Sequence, residues 1–232
     1  MIPLVVIRPQ PGCDATVKAA FGQGLAAEAW PLFVVHPLDW SPPDPDRFDA
    51  LLVGSANALR HGGDGLEAYR ALPAYAVGVT TAAAARAAGM TVAKVGEGGM
   101  QKLLGSLQPG HRRLLRLTGR ERVVLEPPPG TSITDVVTYA SEALPMPDAL
   151  VERLRKPAVV LLHSGEAARH FAEQCDRRDL DRAHLAIAAL APRIAELAGT
   201  GWGSVEVAPM PRDEALLALA GRMCERPQGH DR

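Results

Sequence analysis

Five short segments of this chain pair small residues with groups that can hold an anion. Gly54-Ser55-Ala56-Asn57, Gly78-Val79-Thr80-Thr81, Leu117-Thr118-Gly119-Arg120 and His163-Ser164-Gly165-Glu166 each set a glycine near a hydroxyl, and Ala191-Pro192-Arg193 adds a cation. Glycine lets a ligand approach the backbone, while a serine or threonine oxygen can cap a helix or bind the ligand. Where such a segment leads from a strand into a helix, its free backbone N–H groups point outward. The chemistry implied is the binding of carboxylates or phosphates by many neutral donors. The same residues carry a structural reading. Ser55, Thr81 and Ser164 stand where any α/β protein wants an N-cap, and Gly78, Gly119 and Gly165 relieve crowding at tight turns. Arg120, Arg122 and Arg193 also suit solvated positions. His163 closes an apolar run, where a satisfied core histidine competes with a reactive one. His61, His111, His170 and His230 read as surface residues.

Other chemistries lack their residues. No G-x-x-x-x-G-K-[ST], no strand-associated G-x-G-x-x-G and no G-x-S-x-G occurs. Gly62-Gly63-Asp64-Gly65 follows a helical stretch and reads as a loop. Cys13, Cys175 and Cys224 are scattered without C-x-x-C spacing, so neither a disulfide framework nor a metal site is expected. Seven dispersed histidines add no zinc motif, and no cofactor is expected. A formal net charge of −1 gives no basic stripe for nucleic acid. No run nears the roughly 20 apolar residues that span a bilayer, and Met1–Arg8 reads as a strand rather than a signal peptide. The expectation is a reduced, cytoplasmic, metal-free protein.

The elements that must position these segments alternate. Short apolar runs are expected as strands at 4–8, 32–36, 50–53, 74–77, 91–95, 114–117, 135–139, 158–162, 185–189 and 204–207. Helical periodicity marks 15–27, 81–88, 167–175 and 213–224, among others. Continuous apolar runs suit strands covered on both faces, hence parallel sheets and an α/β class. Order also repeats. Leu51-Leu52-Val53-Gly54-Ser55, a helix, Ala76-Val77-Gly78, a helix and Val92 are echoed by Leu161-Leu162-His163-Ser164-Gly165, a helix, Ala189-Leu190-Ala191, a helix and Val205. The opening strand-loop-helix recurs weakly at 114–125. The chain thus starts in one domain (1–37 and 141–232), builds a second (38–140) and returns. It crosses near His36–Trp40 and Val136–Glu142, and a cleft between domains is a common ligand site. The Pro127–Pro129 run truncates any helix after Gly119, and Arg226–Arg232 reads as a frayed tail.

Ile7-Arg8-Pro9 with Gly12, Phe48–Ala58, Tyr75–Ala82 with Gly89, Leu114–Arg120, Tyr139-Ala140-Ser141, His163-Ser164-Gly165 and Ala189–Pro192 together resemble the uroporphyrinogen-III synthase family, in order over nearly the whole chain. The resemblance implies two flavodoxin-like parallel-sheet domains, the second inserted into the first and joined by a two-stranded connection. It implies a monomer without cofactor or metal, acting on hydroxymethylbilane, a linear tetrapyrrole with eight carboxylates. The implied reaction loses water, passes through a spiro intermediate and recloses with the terminal pyrrole inverted. By the same resemblance, Tyr139 is the candidate acid. Arg8, Ser55, Asn57, Thr81, Gly119, Arg120, Ser141, His163, Ser164, Gly165 and Arg193 are candidate substrate contacts. One departure stands out: Ala191-Pro192-Arg193-Ile194-Ala195 replaces the family's Gly-Pro-Thr-Thr-Ala, exchanging two hydroxyls for a guanidinium. The competing readings are a non-catalytic binder of an anionic metabolite and an enzyme on sugar phosphates or nucleotides.

Overall fold

A computed structural model describes residues 2–225, so the expected frayed tail and His230 lie outside the described residues. In chain order the elements are β1 (Leu4–Val6), α1 (Gly12–Gly22), β2 (Ala27–Ala29), β3 (Phe33–Pro37), β4 (Ala50–Val53), α2 (Ala56–Arg60), β5 (Ala74–Val77) and α3 (Val79–Ala87). There follow β6 (Val92–Gly96), α4 (Met100–Leu104), β7 (Arg113–Gly119), β8 (Ser132–Ala143), α5 (Asp148–Leu154) and β9 (Ala158–Leu162). The chain closes with α6 (Gly165–Arg177), β10 (Leu185–Ala189), α7 (Pro192–Ala198), β11 (Ser204–Val207) and α8 (Asp213–Glu225).

The chain divides into two compact units, Met1–Val34 with Glu142–Arg232, and Val35–Ser141. The division falls inside β3 and β8, so these two strands carry the chain from one unit to the other. Leu38 N–H donates to the Thr138 carbonyl and Leu144 N–H to the Leu32 carbonyl. One strand therefore rises in number as its neighbour falls, the antiparallel sense.

In the first unit the sheet runs β11-β10-β9-β1-β2 with every pair parallel. Its central strands are buried end to end: Leu4–Val6, Ala158–Leu162 and Leu185–Ala189. Successive side chains point to opposite faces, so Val5, Val160 and Ile187 join one core cluster while Leu4, Val159 and Ala186 join another. Each fully buried Val, Leu or Ile is worth about 1.5–3 kcal/mol, which is why unbroken apolar runs specify a sheet covered twice. One cover is α6, whose buried Ala167, Ala168, Phe171, Gln174 and Cys175 recur at helical spacing.

The second unit holds the order β3-β8-β7-β4-β5-β6, parallel from β8 through β6. Leu51, Val53, Leu115 and Leu117 pack to one face, and Ala50, Leu52, Tyr75 and Leu114 to the other. Among the described residues no helix is long and apolar enough to cross a membrane.

Several local expectations are corrected. The first helix stops at Gly22 rather than residue 27, because Gly24 takes a left-handed turn (φ 75°) that no helix continues. The residues beyond it form β2, whose Ala-Glu-Ala sequence carries no strand signal. No helix follows Gly119; the segment 120–131 is irregular, as three consecutive prolines require. The expected strand at 135–139 extends to twelve residues as β8. His61, His111 and His170 are half-buried rather than surface residues. His111 Nδ1 lies 2.8 Å from the Tyr75 hydroxyl, and His170 Nε2 lies 2.8 Å from the Leu144 carbonyl.

Candidate functional site

In the second unit the carboxyl ends of β4, β5 and β7 surround a cavity of about 290 Å³, whose walls include Ser55, Gly99, Arg116, Thr118, Arg122 and Tyr139. Ser55 is the N-cap of α2, and its Oγ accepts from the Asn57 N–H at 3.2 Å. Capping uses an oxygen lone pair and leaves the hydroxyl proton to be donated elsewhere. Capping and ligand binding are therefore compatible roles for this serine.

Tyr139 comes from the middle of β8. Its carbonyl accepts from the Arg120 N–H at 2.9 Å, and its ring lies against Gly119, where a β-carbon would sit 2.7 Å from Cζ. The register of β7 against β8 shifts between Thr118 and Gly119, which makes Gly119 the neighbour of Tyr139. The ring is half-buried, and among the described residues its hydroxyl has no hydrogen-bond partner. The His61 ring stands 6.4 Å away. Burial, then the charges of Arg60 and His36, hold the His61 pKa below the ordinary imidazole value. The cavity therefore offers a free phenol beside the Ser55 hydroxyl and the side chains of Arg116, Glu121 and Arg122.

In the first unit, Arg8, His163, Ser164 and Arg193 lie just beyond the carboxyl ends of β1, β9 and β10. Ser164 caps α6, its Oγ accepting from the Ala167 N–H at 3.1 Å. Gly165 lies under Leu197 of α7, where a β-carbon would clash with the leucine tip. Arg193 is exposed in the first turn of α7. Arg8 Nη1 donates to Asp213 Oδ2 at 2.8 Å and to Thr16 Oγ1 at 3.3 Å, and Thr16 donates to the same carboxylate oxygen at 3.1 Å. The other Asp213 oxygen is 3.5 Å from His163 Nε2.

The His163 side chain is buried yet not satisfied: neither ring nitrogen has a hydrogen-bond partner. Burial above all, then the Arg8 charge, pushes its pKa down to about 4, against the pull of Asp213 and of the Leu161 backbone. At neutral pH the ring is an uncharged polar group inside the protein without a well-formed hydrogen bond, an arrangement that costs stability.

The expected residues do not all gather. Ser55, Tyr139 and the supporting Gly119 come together, whereas Asn57 and Thr81 do not line that cavity. Thr81 is not an N-cap: Gly78 holds that position with φ 79°, and Thr81 is buried one turn in. Gly119 and Arg120 begin no helix, so the donors expected from a helix start are missing there. Ser141 lies in β8, half-buried. Asp213, Arg116 and Asp135 escaped the sequence reading. Arg116 had a visible signal, a cation inside the apolar run Leu114-Leu115-Arg116-Leu117, and its register partner across the strands is Asp135. Asp213 had only its place as an acid at a helix start.

Parallel sheets that present capped helix starts and hydroxyls beyond their strand ends define a ligand-binding α/β protein. A family model described as "Uroporphyrinogen-III synthase HemD" matches residues 14–218. The chain belongs to the uroporphyrinogen-III synthase family, lyases of tetrapyrrole biosynthesis that cyclise hydroxymethylbilane with loss of water and inversion of the terminal pyrrole. No curated protein sequence matches the chain. Among solved structures it is similar to the uroporphyrinogen-III synthetase of Helicobacter pylori, at 17% identity and TM-score 0.64, covering 96% of this chain and 100% of that one. It is also similar to a mutant uroporphyrinogen III synthase of the extremely thermophilic bacterium Thermus thermophilus, at 15% identity and TM-score 0.57, covering 96% and 98%. At these identities the likeness describes the fold.

Proposed function

We propose that this chain carries out the family's ring closure chiefly by positioning, with Tyr139 as the acid and hydroxyl, backbone and arginine donors holding the substrate's carboxylates. The strand order β2-β1-β9-β10-β11 is the 2-1-3-4-5 order of flavodoxin-like folds. On this reading both units are flavodoxin-like, and the second is inserted into the first. In the second unit Ser55 is the hydroxyl donor beside Tyr139. In the first unit Ser164, Gly165 and Arg193 form a carboxylate-binding set, in which Arg193 takes over from the hydroxyls this chain lacks.

Hydroxymethylbilane carries its own reactivity. Its terminal pyrrole expels the hydroxyl, and the carbon left behind is attacked by the last ring at its substituted position. The resulting spiro intermediate reopens and closes with that ring inverted. The enzyme must bring the ends of a flexible chain together and prevent closure without inversion. Holding reacting atoms in place contributes up to about 7–11 kcal/mol. Neutral N–H and O–H donors suit an octa-acid on a protein whose net charge is only −1.

The observation that carries the proposal is the free Tyr139 hydroxyl in the same cavity as Ser55. A phenol there hydrogen-bonds the departing hydroxyl and yields its proton as water forms. Tyr139→Phe keeps the ring on Gly119 and removes only the acid. Turnover is expected to fall about 10²-fold with KM little changed; unchanged turnover would leave Tyr139 a structural residue.

A further inference from the structure

The segment 120–131 joins the neighbouring strands β7 and β8 without a helix, yet it is pinned to the second unit at several points. Val123 accepts from Arg116 Nη1 at 3.0 Å, and Arg122 Nε donates to Asp135 Oδ2 at 2.8 Å. Gln101 of α4 exchanges two hydrogen bonds with the Glu126 backbone, at 2.9 and 3.0 Å. Beneath the segment lies a second cavity of about 390 Å³, whose lining includes Arg116, Arg120, Arg122 and Asp135. Arg116, Arg122 and Val123 line this cavity and the Tyr139 cavity alike.

Charge is unevenly matched there: three guanidinium groups share the lining with two carboxylates, Glu121 and Asp135. Asp135 serves two guanidinium groups, Arg122 at 2.8 Å and Arg116 at 3.7 Å. The Arg116 side chain is only 7% exposed, and its hydrogen bond and ion pair both run from Nη1. Burial, and after it the Arg122 charge, lowers the Arg116 pKa against the pull of Asp135 and Tyr139, so one shared carboxylate does not fully offset the cost of burying this cation. The Arg120 guanidinium has no partner among the described residues. Beside these cations, Val123 and Val124 are exposed, Val124 almost entirely. Cations flanked by exposed apolar side chains fit a ligand that is both anionic and apolar. A carboxylate on an alkyl stem attached to an aromatic ring has that character.

We propose that Arg116, Arg120 and Arg122 form a carboxylate subsite that takes one acidic side chain of the tetrapyrrole, with its ring against Val123 and Val124. The subsite rests on the synthase reading above. It extends the Tyr139 cavity toward a part of the substrate remote from the reacting carbons. It therefore contributes to binding rather than to the chemical step.

Arg120→Gln is the informative variant, because Arg120 is exposed and its side chain holds no other part of the fold. With hydroxymethylbilane, KM is expected to rise about 10-fold while kcat stays within about twofold, as loss of one charge-assisted hydrogen bond implies. Arg120→Lys is expected to recover part of the affinity. A fluorescence titration with uroporphyrin III, read independently of turnover, is expected to show the same loss in Kd. If the wild type forms isomer III and Arg120→Gln leaves both KM and Kd unchanged, the subsite is overturned while the synthase reading stands. If the wild type forms only isomer I, the synthase reading falls and the titration alone decides. Weakened porphyrin binding by Arg120→Gln then upholds the subsite, and unchanged binding overturns it.

Discussion

Gly119 and Tyr139 are neighbours across two strands, and the tyrosine ring occupies the space a side chain at 119 would need. A β-carbon there would lie 2.7 Å from Cζ, 2.9 Å from Cε2 and 3.0 Å from the hydroxyl oxygen. Gly119→Ala must therefore displace the ring or strain β7. Overpacking of this kind costs about 1–3 kcal/mol. Urea unfolding should show that loss, and turnover should fall with the displaced phenol. A variant as stable and as active as the wild type would contradict the packing described.

Ser55 and Ser164 separate two roles by substitution. Alanine removes the cap and should cost about 1 kcal/mol of stability at each site. Aspartate keeps an oxygen for the helix N–H but adds a negative charge facing an octa-acid. Ser164→Asp should then unfold like the wild type and turn over far more slowly. Full activity in Ser164→Asp would confine Ser164 to capping.

The buried His163 makes stability depend on pH in a defined window. Its folded pKa, about 4, lies below the roughly 6.5 of an unfolded imidazole. Above pH 6.5 the ring is neutral in both states and its contribution is complete. Between 6.5 and 4 the unfolded chain takes up a proton that the folded chain refuses, so stability falls as pH falls. The loss is on the order of 3 kcal/mol. His163→Leu removes both the orphaned nitrogens and this slope. Urea unfolding of both proteins at pH 7.5 and 4.5 checks it: an equal loss in each would exonerate His163.

Burial also raises the three thiols, Cys13 and Cys224 to about 11 and Cys175 to about 12. Thiolate is the reactive form, so little reaction with a thiol reagent is expected at pH 8 until the chain unfolds, when three thiols should react. Rapid modification of the native protein would refute that burial.

What the sequence revealed, and what it hid, follows from the range of the interactions involved. Parallel sheets were legible because strands covered on both faces must be apolar throughout, as Ala158–Leu162 and Leu185–Ala189 are. The caps at Ser55 and Ser164 were legible because each reaches only two or three residues ahead. β2 was hidden because three residues of Ala-Glu-Ala are held in place by their neighbour β1 rather than by propensity. The partner of Arg8 was hidden because Asp213 is 205 residues away. Arg120 was named as a substrate contact, but its grouping with Arg116 and Arg122 was hidden, because only the folded segment 120–131 brings Arg120 and Arg122 to the cavity that Arg116 lines.

The central claim is that this chain imposes ring inversion on a substrate that closes without it when left alone. The most direct measurement supplies freshly generated hydroxymethylbilane to the purified protein, oxidises the products and separates uroporphyrins I and III by chromatography. Isomer III in excess, formed faster than the spontaneous appearance of isomer I, is the expected result. Isomer I alone, at the rate seen without protein, would contradict the account.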